Sequence, residues 1–139
     1  MLFESCSSGG GRFDPGLLYY APQGWASDDS DAIERLKIQY GTSMCYPISS
    51  IGSHVSVVPN HQVFRVTPLE TRANVAHFGT FGYELDLNKL TVDERELVRG
   101  QIQFMKQYRE IIQFGAFYRL ISPFDNSQFT AWTFCNWQS

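Results

Sequence analysis

Thr67-Pro68-Leu69-Glu70-Thr71-Arg72-Ala73-Asn74-Val75-Ala76-His77-Phe78-Gly79, running into Thr80-Phe81-Gly82-Tyr83-Glu84-Leu85-Asp86-Leu87, decides the fold class. Thr67 is a good helix N-cap, Pro68 suits the first helical position, and Glu70 completes a capping box. The helix should run to about His77 and stop at Gly79. Phe81 to Leu87 then alternates strictly between apolar and polar or glycine positions, which is the period of a strand. A helix followed at once by a strand is half of a βα repeat.

Working outward, the same grammar recurs. Thr91 with Glu94 three residues on opens a long helix. Its apolar stripe is Val98, Ile102, Met105 and Ile112, widened by Leu97, Phe104, Tyr108 and Ile111, and Gly115 ends it. Asp31 with Glu34 opens an earlier helix, with Ile33, Leu36 and Tyr40 on one side and Gly41 beyond. Met1 to Cys6 and Gly24 to Asp28 read as short strands ending in polar residues. Ser7 to Gly16 must be irregular, because Gly9, Gly10, Gly11 and Gly16 permit positive φ and Pro15 removes a donor. Pro47 to Val66 reads as a long loop, and long loops in compact domains are often functional. After Gly115, Phe117–Ile121 and Phe129–Cys135 around a Pro123-Phe124-Asp125-Asn126-Ser127 turn suggest an antiparallel hairpin.

Strands alternating with helices predict an α/β fold with a parallel sheet or a (β/α) barrel. About three such units are visible, whereas a full barrel has eight and occupies ~250 residues. The expected organisation is part of a barrel over residues 1–114 and the beginning of a β-sheet domain over 115–139.

Composition narrows the function. The charge balance, 11 basic against 14 acidic residues for a net −3, contains no basic cluster, so nucleic acid is not an expected partner. No run of 18 apolar residues exists, so no membrane span is expected. No basic and apolar leader precedes Gly11. Cys6, Cys45 and Cys135 are odd in number and widely spaced, which suits a reducing, cytoplasmic setting. Aromatic residues make up 15% of the chain, a fraction that serves either a core or sugar-stacking surfaces. His54, His61 and His77 are too far apart for a local metal motif, and no metal or cofactor is expected.

Two clusters remain, each where a predicted strand ends. In Cys6-Ser7-Ser8-Gly9-Gly10-Gly11-Arg12-Phe13-Asp14, Arg12-Phe13 stands where a phosphate loop needs Lys-Ser or Lys-Thr. Cys6 has no histidine nearby in sequence, so a pocket thiol suits it better than a nucleophile. In Trp25-Ala26-Ser27-Asp28-Asp29-Ser30-Asp31, Asp31 reads as a helix cap. Asp28 precedes that cap by three residues, beside an indole and other carboxylates, surroundings that raise a carboxyl pKa as a general acid requires.

At these clusters the sequence resembles glycoside hydrolase family 36, the microbial α-galactosidases. The family pattern C-x-x-G-x-x-R-x-D is met by Cys6, Gly9, Arg12 and Asp14. The pattern W-x-S-D-x-x-D-x-x-x-R is met by Trp25, Ser27, Asp28, Asp31 and Arg35. Gly52 to Ser56, Asn60-His61-Gln62 and Phe81 to Leu87 also look like the family. The resemblance implies a (β/α)₈ barrel flanked by β domains, of which this chain would hold about the last three βα units. It implies release of terminal α-linked galactose from melibiose, raffinose or similar oligosaccharides with retention, by two carboxylates about 5 Å apart. It makes Asp28 the acid/base. Cys6 and Gly9 would line the sugar pocket, Trp25, Ser27 and Arg12 would support it, and Asp14 and Arg35 would be structural. A homo-oligomer is compatible with it.

The family's nucleophile lies in a K-W-D-like strand before the cysteine motif, and these residues contain no such motif. The expectation is therefore an enzyme segment carrying the acid/base alone, marginally stable or self-associating in isolation. A galactose-binding piece without turnover and a ligand-free structural fragment are the alternatives.

Overall fold

The computed structural model describes residues 3–6, 14–125 and 128–137. Four parallel strands form one sheet in sequence order: β1 (Glu4–Ser5), β2 (Gln23–Trp25), β3 (Ile51–Ser56) and β4 (Thr80–Glu84). The register pairs Ser5 with Gly24, Trp25 with Gly52, and His54 with Gly82. Three helices follow the strands: α1 (Ala32–Thr42), α2 (Leu69–Ala76) and α3 (Val92–Phe114). A two-stranded antiparallel sheet, β5 (Ala116–Ile121) with β6 (Ala131–Cys135), closes the order. The chain is thus an α/β fragment built on a parallel sheet.

The largest departure from the sequence reading is β3. Residues 47–66 are not one long loop: Ile51–Ser56 forms a strand between β2 and β4. Gly52, Ser53 and Ser56 dilute the β-branched Ile51 and Val55, so propensity hid the strand. Burial explains its composition. Ser53 is 1% exposed and donates from Oγ to Gln39 Oε1 of α1 at 3.1 Å. Val55, fully buried, packs with Leu69, Ala73 and Ala76 of α2 and Val98 of α3. Both α1 and α2 therefore contact the Ser53/Val55 face of β3. By strand alternation His54 belongs to the opposite face.

Helix α1 also differs in its buried side. Ala32, Arg35 and Gln39 are its buried residues, and the helix runs through Gly41. Its fixing contacts are polar. Gln39 Nε2 donates to the carbonyls of Val75 (3.2 Å) and Phe78 (2.7 Å), where α2 ends. Helix α2 begins one residue later than predicted: Pro68 is extended at ψ 148° and is itself the cap, and Thr67 makes no side-chain cap. The carbonyl of Thr67 instead accepts from Arg72 Nε at 3.0 Å. Gly79 at φ 155° turns the chain into β4 with its α-carbon close to the β3 backbone, where a β-carbon would stand 2.6 Å from the Ile51 carbonyl oxygen. Helix α3 opens with the predicted Thr91–Glu94 capping box. Of its stripe, Val98 and Ile112 are buried, while Leu97, Phe104 and Tyr108 are exposed. The hairpin packs back through Phe78, whose ring meets Trp132 edge-on (5.1 Å) and stacks on Phe134 (5.5 Å).

Candidate active site

Strand β2 ends at Trp25 and α1 begins at Ala32, so the acidic cluster is the connecting loop. Its carboxylates divide the work. Asp31, 3% exposed, caps α1 by accepting from the N–H groups of Ile33 and Glu34, each at 3.1 Å. Asp29 Oδ1 accepts from the Asp31 N–H at 3.0 Å, and Ser27 Oγ accepts from the Asp29 N–H at 3.1 Å. Asp29 and Asp31 thus satisfy helix and turn amides that would otherwise lack acceptors. Asp28, between Ser27 and Asp29, is exposed.

The segment after β3 reaches back over this loop. Asn60, 2% exposed, accepts at Oδ1 from the N–H groups of Gln62 and Val63, each at 2.9 Å. Its Nδ2 donates to Ser30 Oγ at 3.2 Å. Gln62 Oε1 accepts from the Ser30 N–H at 3.0 Å, and its Nε2 donates to the Asp28 carbonyl. Phe64 adopts φ 56°, and the next residue, Arg65, pairs with Asp31 and with Glu34 (3.3 Å). Glu34 therefore faces Arg65 rather than closing a box on Asp31. The long-loop reading pointed to this neighbourhood, but its spacing from Asp28 gave no sign of these contacts.

Arg35 supports the loop from below. It is 3% exposed, donating from Nη2 to the Gly52 carbonyl, from Nη1 to the Ser27 carbonyl (3.3 Å) and from Nε to Gln39 Oε1 (3.4 Å). Burial pushes its pKa down to about 10, against the opposing pull of Asp29 and Glu84. A single guanidinium thus ties the ends of β2 and β3 to α1.

On the opposite face of the sheet, Trp25 and His54 stack with centroids 4.4 Å apart and planes at 19°. The pair was not foreseen, because residues 25 and 54 become neighbours only once β3 is recognised. Burial holds the His54 imidazole below its ordinary pKa, with Glu4 and Glu84 pulling it up and Arg35 pushing it down. Glu4 accepts a hydrogen bond from Gln23 Nε2 on the adjacent strand. The sheet therefore presents an aromatic plate flanked by carboxylates.

Of the other expected site residues, Cys6 is exposed just beyond β1, next to the strand that ends in Trp25. Ser27 is half-buried within the Asp28 loop. Gly9 and Arg12 lie outside the described residues. Two clefts of this chain, about 680 and 390 Å³, lie along α3 between Asn74, His77 and Phe104, away from Asp28. Among the described residues no group of three His, Cys, Asp or Glu side chains could hold a metal ion. No helix among them is long and apolar enough to cross a membrane.

The melibiase family model matches residues 1–115. The chain belongs to the melibiase family. Its relatives include Alpha-galactosidase AgaA of Geobacillus stearothermophilus, 61% identical over 96% of this chain and 18% of that protein. Alpha-galactosidase 1 of Pediococcus pentosaceus is 55% identical, again over 96% of this chain and 18% of its own length. A crystal structure of the GH36 α-galactosidase AgaA in complex with raffinose superposes with a TM-score of 0.94 at 59% identity, covering 99% of this chain and 19% of that one. An AgaA complex with stachyose matches with a TM-score of 0.93 at the same identity and coverage. This melibiase segment thus spans roughly a fifth of the length of the relatives it matches.

Proposed function

We propose that this chain is the acid/base-bearing part of a retaining α-galactosidase acting on galactosyl oligosaccharides such as melibiose, raffinose and stachyose. The observation that carries the reading is the β2–α1 loop. Asp29 and Asp31 serve the backbone there, and Asp28 is held, exposed, beyond the carboxyl end of a parallel strand. Relatives that are α-galactosidases, with raffinose and stachyose complexes among them, support the substrate class.

In this reading the strands form one arc of a (β/α)₈ barrel. A parallel sheet in sequence order, with α1 and α2 against one face of β3, suits such an arc, and active sites of barrels lie at the carboxyl ends of their strands. Residues 1–114 belong to the barrel, and 115–139 begin a β domain. Asp28 protonates the glycosidic oxygen as a carboxylate from outside these residues attacks the anomeric carbon. The products of this step are a covalent galactosyl-enzyme and the departing alcohol. Ionised Asp28 then takes a proton from water, whose oxygen displaces the enzyme carboxylate and releases galactose with net retention. Trp25 offers a ring to the apolar face of the sugar. Cys6 and Gly9 line the pocket, and Ser27 and Arg12 support it. The chemistry needs no metal or cofactor. A cytoplasmic, homo-oligomeric enzyme fits the same reading.

The test grafts this segment over the matching residues of AgaA and compares it with its Asp28→Asn form on raffinose. The expected loss is ~10²–10⁴-fold in kcat/KM, the usual contribution of general acid–base catalysis. The 139-residue chain alone should not turn over an aryl α-galactoside. Full raffinose activity of the Asp28→Asn graft would end this assignment.

A further inference from the structure

We infer that Gln62 is a positioning residue for proton transfer by Asp28, an inference that rests on the acid/base reading above. A general acid must stand within hydrogen-bond reach of the oxygen it protonates. An aspartate side chain has only two torsions, so the placement of its carboxyl follows closely from its own backbone. That backbone is irregular between Trp25 and Ala32 and is held from several sides.

Arg35 anchors the beginning of the loop through the Ser27 carbonyl at 3.3 Å, and Asp31 anchors its end as the cap of α1. Gln62 holds the middle. Its amide bridges the carbonyl of Asp28 and the N–H of Ser30, the groups on either side of Asp29. The orientation of that amide is fixed by chemistry, since a carbonyl only accepts and a backbone N–H only donates. Gln62 is held in turn: its N–H donates to Asn60 Oδ1 at 2.9 Å, and the same Asn60 side chain, buried, donates to Ser30 Oγ at 3.2 Å. Two side chains from the β3–α2 connection therefore hold the backbone at Asp28 and Ser30 and the Ser30 hydroxyl. Gln62 lies more than thirty positions from the loop it bridges, so the contact is not part of that loop's own turn.

Removing the bridge should let the acid drift, and a misplacement on the ångström scale can cost ~10²-fold in rate. The experiment uses the AgaA graft with Gln62→Ala and the near-isosteric Gln62→Met, beside the unsubstituted graft and Asp28→Asn. Each is assayed on raffinose, whose alcohol needs protonation to leave, and on 2,4-dinitrophenyl α-galactoside, whose acidic phenol leaves unaided. For a positioning role, kcat/KM on raffinose falls ~10–100-fold in both variants while the dinitrophenyl substrate stays within about threefold. Equal losses on the two substrates would mark a purely structural role and overturn the inference. So would undiminished raffinose turnover, or full activity of Gln62→Met, which keeps the shape without the hydrogen bonds. If Asp28→Asn itself fails to discriminate the two leaving groups, the acid/base assignment is what has failed, and the Gln62 result is read separately from it.

Discussion

Gly82 has no side chain where the edge of the His54 imidazole lies: a β-carbon there would stand 2.6 Å from His54 Cδ2 and 2.8 Å from Nε2. The imidazole is also pressed against the Trp25 indole. It therefore fills a slot between an indole on one strand and bare backbone on another. Gly82→Ala should force His54 off Trp25 at a cost of ~1–3 kcal/mol, the usual range for overpacking. Chemical denaturation of the alanine variant, with emission read in a background where Trp132 and Trp137 are replaced by Phe, checks this. A variant with unchanged stability and emission would show that the slot has room to spare.

His77 gives the fold a pH dependence. It is stacked on Phe81 at 4.8 Å and lies 4.7 Å from Phe104, and its buried Nε2 has no hydrogen-bond partner among the described residues. Burial holds its pKa below the ordinary value of 6.5, a backbone contact with Gln101 opposing the shift, and His54 is lowered likewise. The neutral forms are favoured in the fold, so the unfolded chain takes up protons first as the pH falls below about 6.5. Their contribution to stability is present above that pH and is lost as the pH drops through the folded values. His77→Phe keeps the ring among its aromatic neighbours and removes the proton site. The difference between thermal midpoints at pH 7.5 and 5.0 should shrink in that variant; an unchanged difference rules His77 out as a source.

Arg35 is a buried cation whose bonds go to carbonyl oxygens and to Gln39. Arg35→Met leaves the Ser27 and Gly52 carbonyls without that donor, at about 1–3 kcal/mol for each group left unsatisfied. Arg35→Lys should recover little, because an ammonium cannot reproduce the planar fork and loses its proton readily when buried. Urea midpoints of the two variants test this together, and a lysine variant as stable as the parent would contradict it.

Much of this was legible in the chain. Thr91 with Glu94, and Asp31 before Ala32, announce their helices because a cap is a local device, readable from a few consecutive residues. The end of a strand near Trp25 was legible from its neighbours in the same way. Strand β3 was not, since Ile51-Gly52-Ser53-His54-Val55-Ser56 owes its extended form to what lies on either side of it, a glutamine from α1 and an indole from β2. Gln39 was passed over along with it: the helix periodicity selected Ile33, Leu36 and Tyr40, while the sheet offered Ser53 and the end of α2 offered carbonyls that a polar group satisfies. Gln62 is the extreme case. Its partners are the backbone of Asp28 and Ser30, and backbone partners leave no trace in residue identity.

The isolated chain should self-associate. Val92 is 81% exposed, Phe64 78%, Trp137 77% and Phe114 73%. Leu97, Phe104 and Tyr108 widen the apolar side of α3 and are exposed in turn. Burying such side chains is worth roughly 1.5–3 kcal/mol each, so a few of them shared between two copies outweigh part of the entropy cost of association. Sedimentation of the 139-residue chain over a hundredfold range of concentration should show mass rising with concentration, with binding of an apolar dye at the dilute end. A cooperatively folding monomer throughout that range, silent to the dye, would mean that these side chains cover one another more fully in solution than the fold indicates.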